Sequence, residues 1–180
     1  YLMPNGAFYG TKKSCEPLHI MLDQKTNEIV VSNFTHQPSK DITAEIKILN
    51  IDLKEKFSKR VNMNINADEV KSVITLPEIN DLSKTYFLSL KIIDKNNTTI
   101  SNNFYWLSTK PDILDFPKTT WWITPISEFA DFTELKNLPL TEINLKEKLE
   151  RKGEKGYVSI ELENPSDKLA FCIEIAVLKE

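Results

Sequence analysis

From Leu18 onward the chain reads as short runs in which apolar and polar positions alternate, separated by turn residues. Ile42, Ala44, Ile46 and Ile48 fall on one side of a run whose other side carries Thr43, Glu45 and Lys47. A period of two with one apolar face predicts a half-buried antiparallel strand. Leu18–Leu22, Glu28–Ser32, Phe57–Ile65, Glu69–Leu76, Tyr86–Ile93 and Ile100–Leu107 continue the series. Asp23–Asn27, Thr35–Asp41 and Asp94–Asn97 supply the turns between them, the last with asparagine-tolerant hairpin geometry. Seven strands in roughly 90 residues is the count and spacing of an immunoglobulin-like sandwich.

The flanks follow other rules. Gly6–Ser14 does not alternate, and Lys12 and Lys13 suit the negative end of a helix dipole. Pro17 disfavours helical geometry at Glu16, so a short helical tail is expected to stop at about Cys15. After Lys110-Pro111-Asp112 comes a stretch rich in aromatics and prolines (Phe116, Trp121, Trp122, Phe129, Phe132; Pro117, Pro125, Pro139) without period two or 3.6. It reads as a long ordered loop, and its large side chains are expected to be out of water.

Residues 142–152 fit both periods. Glu147 and Arg151 pair at helical spacing, while Ile143, Leu145 and Leu149 also share a strand face. A strand is preferred, because a lone short helix has little to pack on, and Gly153 and Gly156 bracket a hairpin turn. Tyr157–Leu162, a turn at Asn164–Asp167 and a strand at Leu169–Leu178 complete the chain. Two or three strands cannot close a sandwich of their own. Unpaired edges are therefore expected around Leu169–Leu178, and they invite a homodimer. The expected fold is all-β: an immunoglobulin-like β-sandwich, an aromatic linker and a partial second β-sandwich, with a short N-terminal helical tail.

Composition narrows the function classes. The chain has 180 residues, 41% of them hydrophobic and 27% charged, enough to bury a core. Its net charge of −3 gives no bulk positive field for a phosphate backbone, so nucleic acid is not an expected partner. No run approaches the roughly 20 apolar residues of a membrane span. Two cysteines, Cys15 and Cys172, cannot make a disulfide framework, and His19 and His36 are too few for a histidine-rich metal site. No metal and no cofactor is expected. A start at Tyr1-Leu-Met-Pro reads as a piece cut from a larger protein.

The search for catalytic chemistry returns structural readings. Cys15 and His19 are close in sequence, but four extended residues across a proline span about 13 Å. Cys15 is expected to be a small buried residue and His19 a strand-face residue. Glu128, Asp131 and Glu134 lie beside the tryptophans, where a sugar face could stack. Acidic residues are so numerous, however, that solvated loop carboxylates explain them. The Trp121-Trp122 pair suits a core plug or domain interface better than a carbohydrate platform. With only 4 glycines, none spaced as a cradle, a phosphate loop is absent. Asn33-Phe-Thr35 has the form of a glycosylation acceptor. No independent active site emerges.

Residues 7–20, Ala-Phe-Tyr-Gly-Thr-Lys-Lys-Ser-Cys-Glu-Pro-Leu-His-Ile, are the most distinctive stretch. They resemble the junction in glycoside hydrolase family 2 enzymes, of the exo-β-glucosaminidase and mannosylglycoprotein endo-β-mannosidase branch. There the catalytic TIM barrel ends in a helix and the chain enters an immunoglobulin-like domain. Phe104-Tyr-Trp-Leu-Ser108 with the aromatic linker, and Asn164-Pro-Ser-Asp-Lys-Leu-Ala-Phe171, resemble the same branch, with Cys172 where a second aromatic is common.

The resemblance implies four parts. Residues 1–16 are the end of a barrel helix and the junction, and 17–110 the sandwich. Residues 111–140 are the aromatic linker, and 141–180 a partial second sandwich. It implies a retaining glycosidase as the parent, with the barrel as partner in cis and an extracellular or periplasmic location. The family's catalytic glutamates lie on barrel strands, so no catalytic position transfers here. The expected role is a non-catalytic accessory fragment. The alternative is a carbohydrate-binding module that contacts an oligosaccharide through Trp121 and Trp122, with Trp106 and Glu128 as further candidates.

Overall fold

The protein is described by a computed structural model covering residues 5–175. Helix α1 (Gly6–Ser14) is capped by Asn5, whose side chain accepts from the Phe8 N–H, and it ends at Cys15 as Pro17 requires. It buries none of its residues. Seven strands follow: β1 (Leu18–Asp23), β2 (Glu28–Asn33), β3 (Ser39–Asn50), β4 (Glu55–Ile65), β5 (Glu69–Thr75), β6 (Thr85–Ile93) and β7 (Thr99–Ser108). They form two antiparallel sheets, in the orders β1-β2-β5 and β4-β3-β6-β7, the arrangement of an immunoglobulin-like sandwich.

Register explains the core. In the larger sheet Ala44 pairs with Ile92, Ile46 with Leu90 and Ile48 with Leu88, so the apolar positions of β3 and β6 share one face. Leu18, Ile20, Ile29 and Val31 of the smaller sheet complete the same cluster. A one-residue slip of β3 would turn Thr43, Glu45 and Lys47 into this space, which pins the pairing. The connections use residues that tolerate positive φ, with Asn27 at 56° between β1 and β2 and Asn97 at 63° between β6 and β7. Asp94 Oδ1 accepts both the Asn96 and Thr98 N–H groups at 2.8 Å, which closes the second turn.

After β7 the chain makes a small ribbon from β8 (Ile113–Leu114) and β9 (Ile126–Glu128). The chain divides into two compact units, Tyr1–Glu134 and Leu135–Glu180. In the second, β10 (Asn144–Lys152) and β11 (Lys155–Glu163) pair along their whole length. The turn between them is Gly153–Glu154, with Gly153 at φ 65°, while Gly156 pairs with Arg151 within the ladder. The ambiguous segment 142–152 is thus a strand.

Three expectations are corrected. The expected strand at Leu169–Leu178 is not formed over 169–175. Cys172 at φ 53° leaves extended geometry there, and the last three positions lie outside the described residues. Among the described residues, the unpaired strand edges of the second unit are those of the ribbon β10–β11. Cys15 is exposed, because it caps a helix that buries nothing, and both it and Cys172 are free thiols. Within the chain, the large side chains of the aromatic segment largely face solvent.

Candidate functional site

Two places gather side chains beyond what the sandwich core requires. The first is the junction of α1 with the sandwich. Glu16 follows the helix and is half-buried against β7. Its Oε1 accepts from Lys13 Nζ at 2.7 Å, and its Oε2 accepts from the Ser101 hydroxyl at 2.7 Å and lies 3.1 Å from His19 Nδ1. Lys13 Nζ also donates to Asn102 Oδ1 at 2.8 Å. Burial pushes the Glu16 carboxyl up, but the hydrogen bonds from Lys13, Ser101 and His19, with the Lys13 charge, outweigh it and hold the group below the usual carboxylate range.

His19 is a strand residue as expected, and only 2% exposed. Its Nε2 lies 3.5 Å from Asn103 Nδ2, and that amide also donates to the Tyr105 hydroxyl at 2.9 Å. The histidine and the serine hydroxyl both approach the carboxylate, while Cys15 is exposed. The geometry is that of a clamp, not of a nucleophile activated by its base.

The second place is the aromatic segment. Asp115 N–H donates to the Pro125 carbonyl at 2.8 Å and Thr120 N–H to the Ile123 carbonyl at 2.9 Å, which makes residues 120–123 the tip of a hairpin. Trp121 and Trp122 are the two central residues of that turn, 94% and 67% exposed. Their rings meet edge to face with centroids 6.4 Å apart. Phe116, Ile123 and Phe129 of the same segment are exposed as well. The pair is thus no plug in the core of this chain.

Each carboxylate of the segment already has structural work. Glu128 pairs with Lys110 Nζ at 2.8 Å, and that hydrogen bond and charge hold its carboxyl below the usual range. Asp131 accepts from the Thr133 hydroxyl at 2.6 Å and N–H at 3.0 Å, which lowers its pKa in the same direction. Glu134 accepts the N–H of fully buried Thr85 at 2.8 Å, and the Thr85 hydroxyl donates to the Asp131 carbonyl at 3.1 Å. Among the described residues, no hydrogen bond or ion pair joins Glu128 to Trp121 or Trp122.

Where residues 130–132 return to the sandwich, a cleft of about 410 Å³ opens between the β1–β2 turn, the end of β7 and Phe132. Tyr86, Trp106 and Phe132 line it, with Gln24, Asn27 and Asp112 among its polar positions. Of this set, the sequence singled out Trp106 alone as a candidate for ligand contact. The others are scattered over a hundred positions, and their meeting depends on long-range pairing. The Asn33 triplet is also resolved. Asn33 is fully buried, its amide donates to the Gln37 and Asn66 carbonyls and its Oδ1 accepts from Thr35, so it is an internal tie. Among the described residues no group of three or more His, Cys, Asp or Glu side chains is placed to hold a metal ion, and no helix is long and apolar enough to cross a membrane.

Comparison with known proteins adds the following. Residues 25–110 match a family model described as a mannosidase Ig/CBM-like domain, and residues 121–180 match one described as the exo-β-D-glucosaminidase Ig-fold domain. An exo-β-D-glucosaminidase of Amycolatopsis orientalis is 39% identical over 140 residues, which is 77% of this chain and 14% of the relative. One from Streptomyces avermitilis is 35% identical over 141 residues, 77% of this chain and 16% of the relative. The crystal structure of the Amycolatopsis orientalis exo-chitosanase CsxA superimposes with a TM-score of 0.86 at 33% identity, covering 93% of this chain and 20% of that one. This chain thus spans 14% and 16% of the length of those two relatives.

Proposed function

Because this chain is built from the immunoglobulin-like domains of glycoside hydrolase family 2 enzymes of the exo-β-D-glucosaminidase and mannosidase type, we propose that it is a non-catalytic C-terminal accessory region supporting a catalytic barrel in cis. In this reading residues 1–16 are the end of a barrel helix and its junction, and 17–110 the sandwich. Residues 111–140 are the linker, and 141–180 part of a second sandwich. The parent is a retaining β-glycosidase of glucosaminidase or mannosidase type, acting outside the cytoplasm.

The observation that carries the proposal is the solvent-facing aromatic surface around Trp121, Trp122, Phe116 and Phe129. Several large aromatic side chains exposed on one short segment mark a surface that meets another body. Helix α1 agrees, with Phe8 and Tyr9 exposed and no buried residue of its own. Incubating the isolated chain with chromogenic β-glucosaminides, β-mannosides and β-galactosides tests the reading. No turnover is expected, and hydrolysis that purifies with the chain would overturn it.

The exposure of Trp121 also favours a second reading, in which the hairpin tip stacks on a sugar ring. A saturable change in tryptophan fluorescence on adding oligosaccharide, abolished by Trp122→Ala, distinguishes it from docking alone. In the isolated chain the open edges of β10–β11 provide a surface for pairing between copies. A sedimentation coefficient that rises with concentration is the expected sign.

A further inference from the structure

The ribbon β10–β11 has two unlike faces. Side chains alternate along each strand and the ladder is unbroken, so Leu145, Glu147, Leu149 and Arg151 share one face with Val158, Ile160 and Leu162. Leu145, Leu149 and Val158 of that face are exposed, Leu149 by 76%. The opposite face is polar and matches its own charges. Lys146 pairs with Glu161 at 3.5 Å, Lys148 pairs with Glu150 at 2.6 Å, and Lys152 Nζ lies 5.7 Å from the centre of the Tyr157 ring. The two charges on the apolar face are not matched in this way. Among the described residues Glu147 has no hydrogen bond or ion pair, and Arg151 only donates from Nε to the Gly153 carbonyl at 3.3 Å.

A two-stranded ribbon is marginal in water unless something covers its apolar face, and sheets meet face to face about 10 Å apart. A twofold axis between two such ribbons, lying across their strands, sets each β10 over the β10 of the other copy with its direction reversed. Centred on the cross-strand pair Leu149 and Val158, it brings Leu149 to Leu149 and Val158 to Val158. Each Glu147 then meets the other copy's Arg151. Each Ile160 falls over the other copy's Gly156, where nothing lies within 4 Å of the position a Cβ would take. The face is thus complementary to itself in both charge and shape. We propose that it is a self-association surface, and that its occupant is a second copy of this chain. The contact stands on the ribbon alone, independent of any reading of the parent's catalysis. It needs both strands, unlike pairing along an open edge.

The test is sedimentation of the whole chain over a concentration series, in which the average mass should rise from monomer towards dimer. Glu147→Arg and Arg151→Glu each set like charges against one another at both contacts, and each should weaken association at least about tenfold. An equimolar mixture of these two variants should associate again, because every contact between the unlike chains is then of opposite charge. Val158→Asp, on the other strand, should weaken association likewise. Circular dichroism confirms that each variant is folded, and Leu149→Asp replaces any that is not, with the same loss expected. A monomer at every concentration, association indifferent to both reversals, or a mixture that stays monomeric would overturn the proposal. Loss in the charge variants with Val158→Asp unaffected would assign the contact to the edge of β10 and overturn it as well.

Discussion

The hydroxyl of Ser101 donates to Glu16 Oε2 at 2.7 Å across 85 positions of sequence. Lys13 binds the other oxygen of the same carboxylate and reaches on to Asn102, so the last turn of α1 is tied to β7 at two neighbouring residues. Since the helix buries nothing, this polar knot holds it to the sandwich.

Glu16→Gln should therefore loosen the junction. Hydrogen bonds to a charged group contribute about 1.5–3 kcal/mol, and the loss should appear as a lower urea midpoint. The pH dependence has a definite sign. The Glu16 carboxyl titrates below its ordinary value of 4.5, so its stabilisation is complete above that pH and is lost as the pH falls through the lowered folded value. The difference between the wild-type and variant midpoints should shrink with acidification. A constant difference from pH 7 to pH 3 would mean that the charge is not what matters.

Ile46→Ala removes a fully buried side chain from the face shared by β3 and β6. A cost of about 2–5 kcal/mol is expected from the lost transfer energy and the cavity left behind. Equilibrium unfolding followed by tryptophan emission measures it, and a cost under 1 kcal/mol would show that the sheets do not pack as described.

Thr85→Val deletes the hydroxyl that holds the Asp131 carbonyl while keeping the backbone bond to Glu134. The sandwich should stay folded, with its far-ultraviolet dichroism unchanged. Proteolysis within residues 111–134 should speed several-fold, consistent with about 0.5–1.5 kcal/mol for the loss of one part-buried hydrogen bond.

Gly153→Ala places a Cβ at φ 65°, where the surroundings are open but the backbone itself is strained. A cost of about 1–2 kcal/mol is expected, concentrated on β10–β11. Hydrogen exchange should quicken over residues 144–163 and remain unchanged in the sandwich. Gly153→Asn should be milder, because asparagine tolerates the left-handed region.

The sandwich was legible because its faces alternate: Ile42, Ala44, Ile46 and Ile48 announce both the strand and its buried side. The helix end at Cys15 was legible through Pro17, a purely local constraint. The aromatic segment was not, since its shape comes from side-chain bonds such as Asp112 to Ala130 and Glu134 to Thr85, which leave no periodic trace. Its exposure was misjudged for a related reason: residue type indicates what prefers burial, but not which body provides it. The strand expected after Leu169 failed at Cys172, whose positive φ no propensity rule anticipates. The clamp at Glu16 and the cleft at Asp112 join residues far apart in sequence, so only the folded pairing brings them together.

The most direct test of the scaffold reading compares hydrogen exchange and acrylamide quenching of residues 115–130 in this chain alone and in the chain joined to the catalytic barrel that this reading proposes. The account predicts that Trp121 and Trp122 are quenched freely in the first and shielded in the second, with slower exchange around them. Equal quenching and equal exchange in both would contradict it.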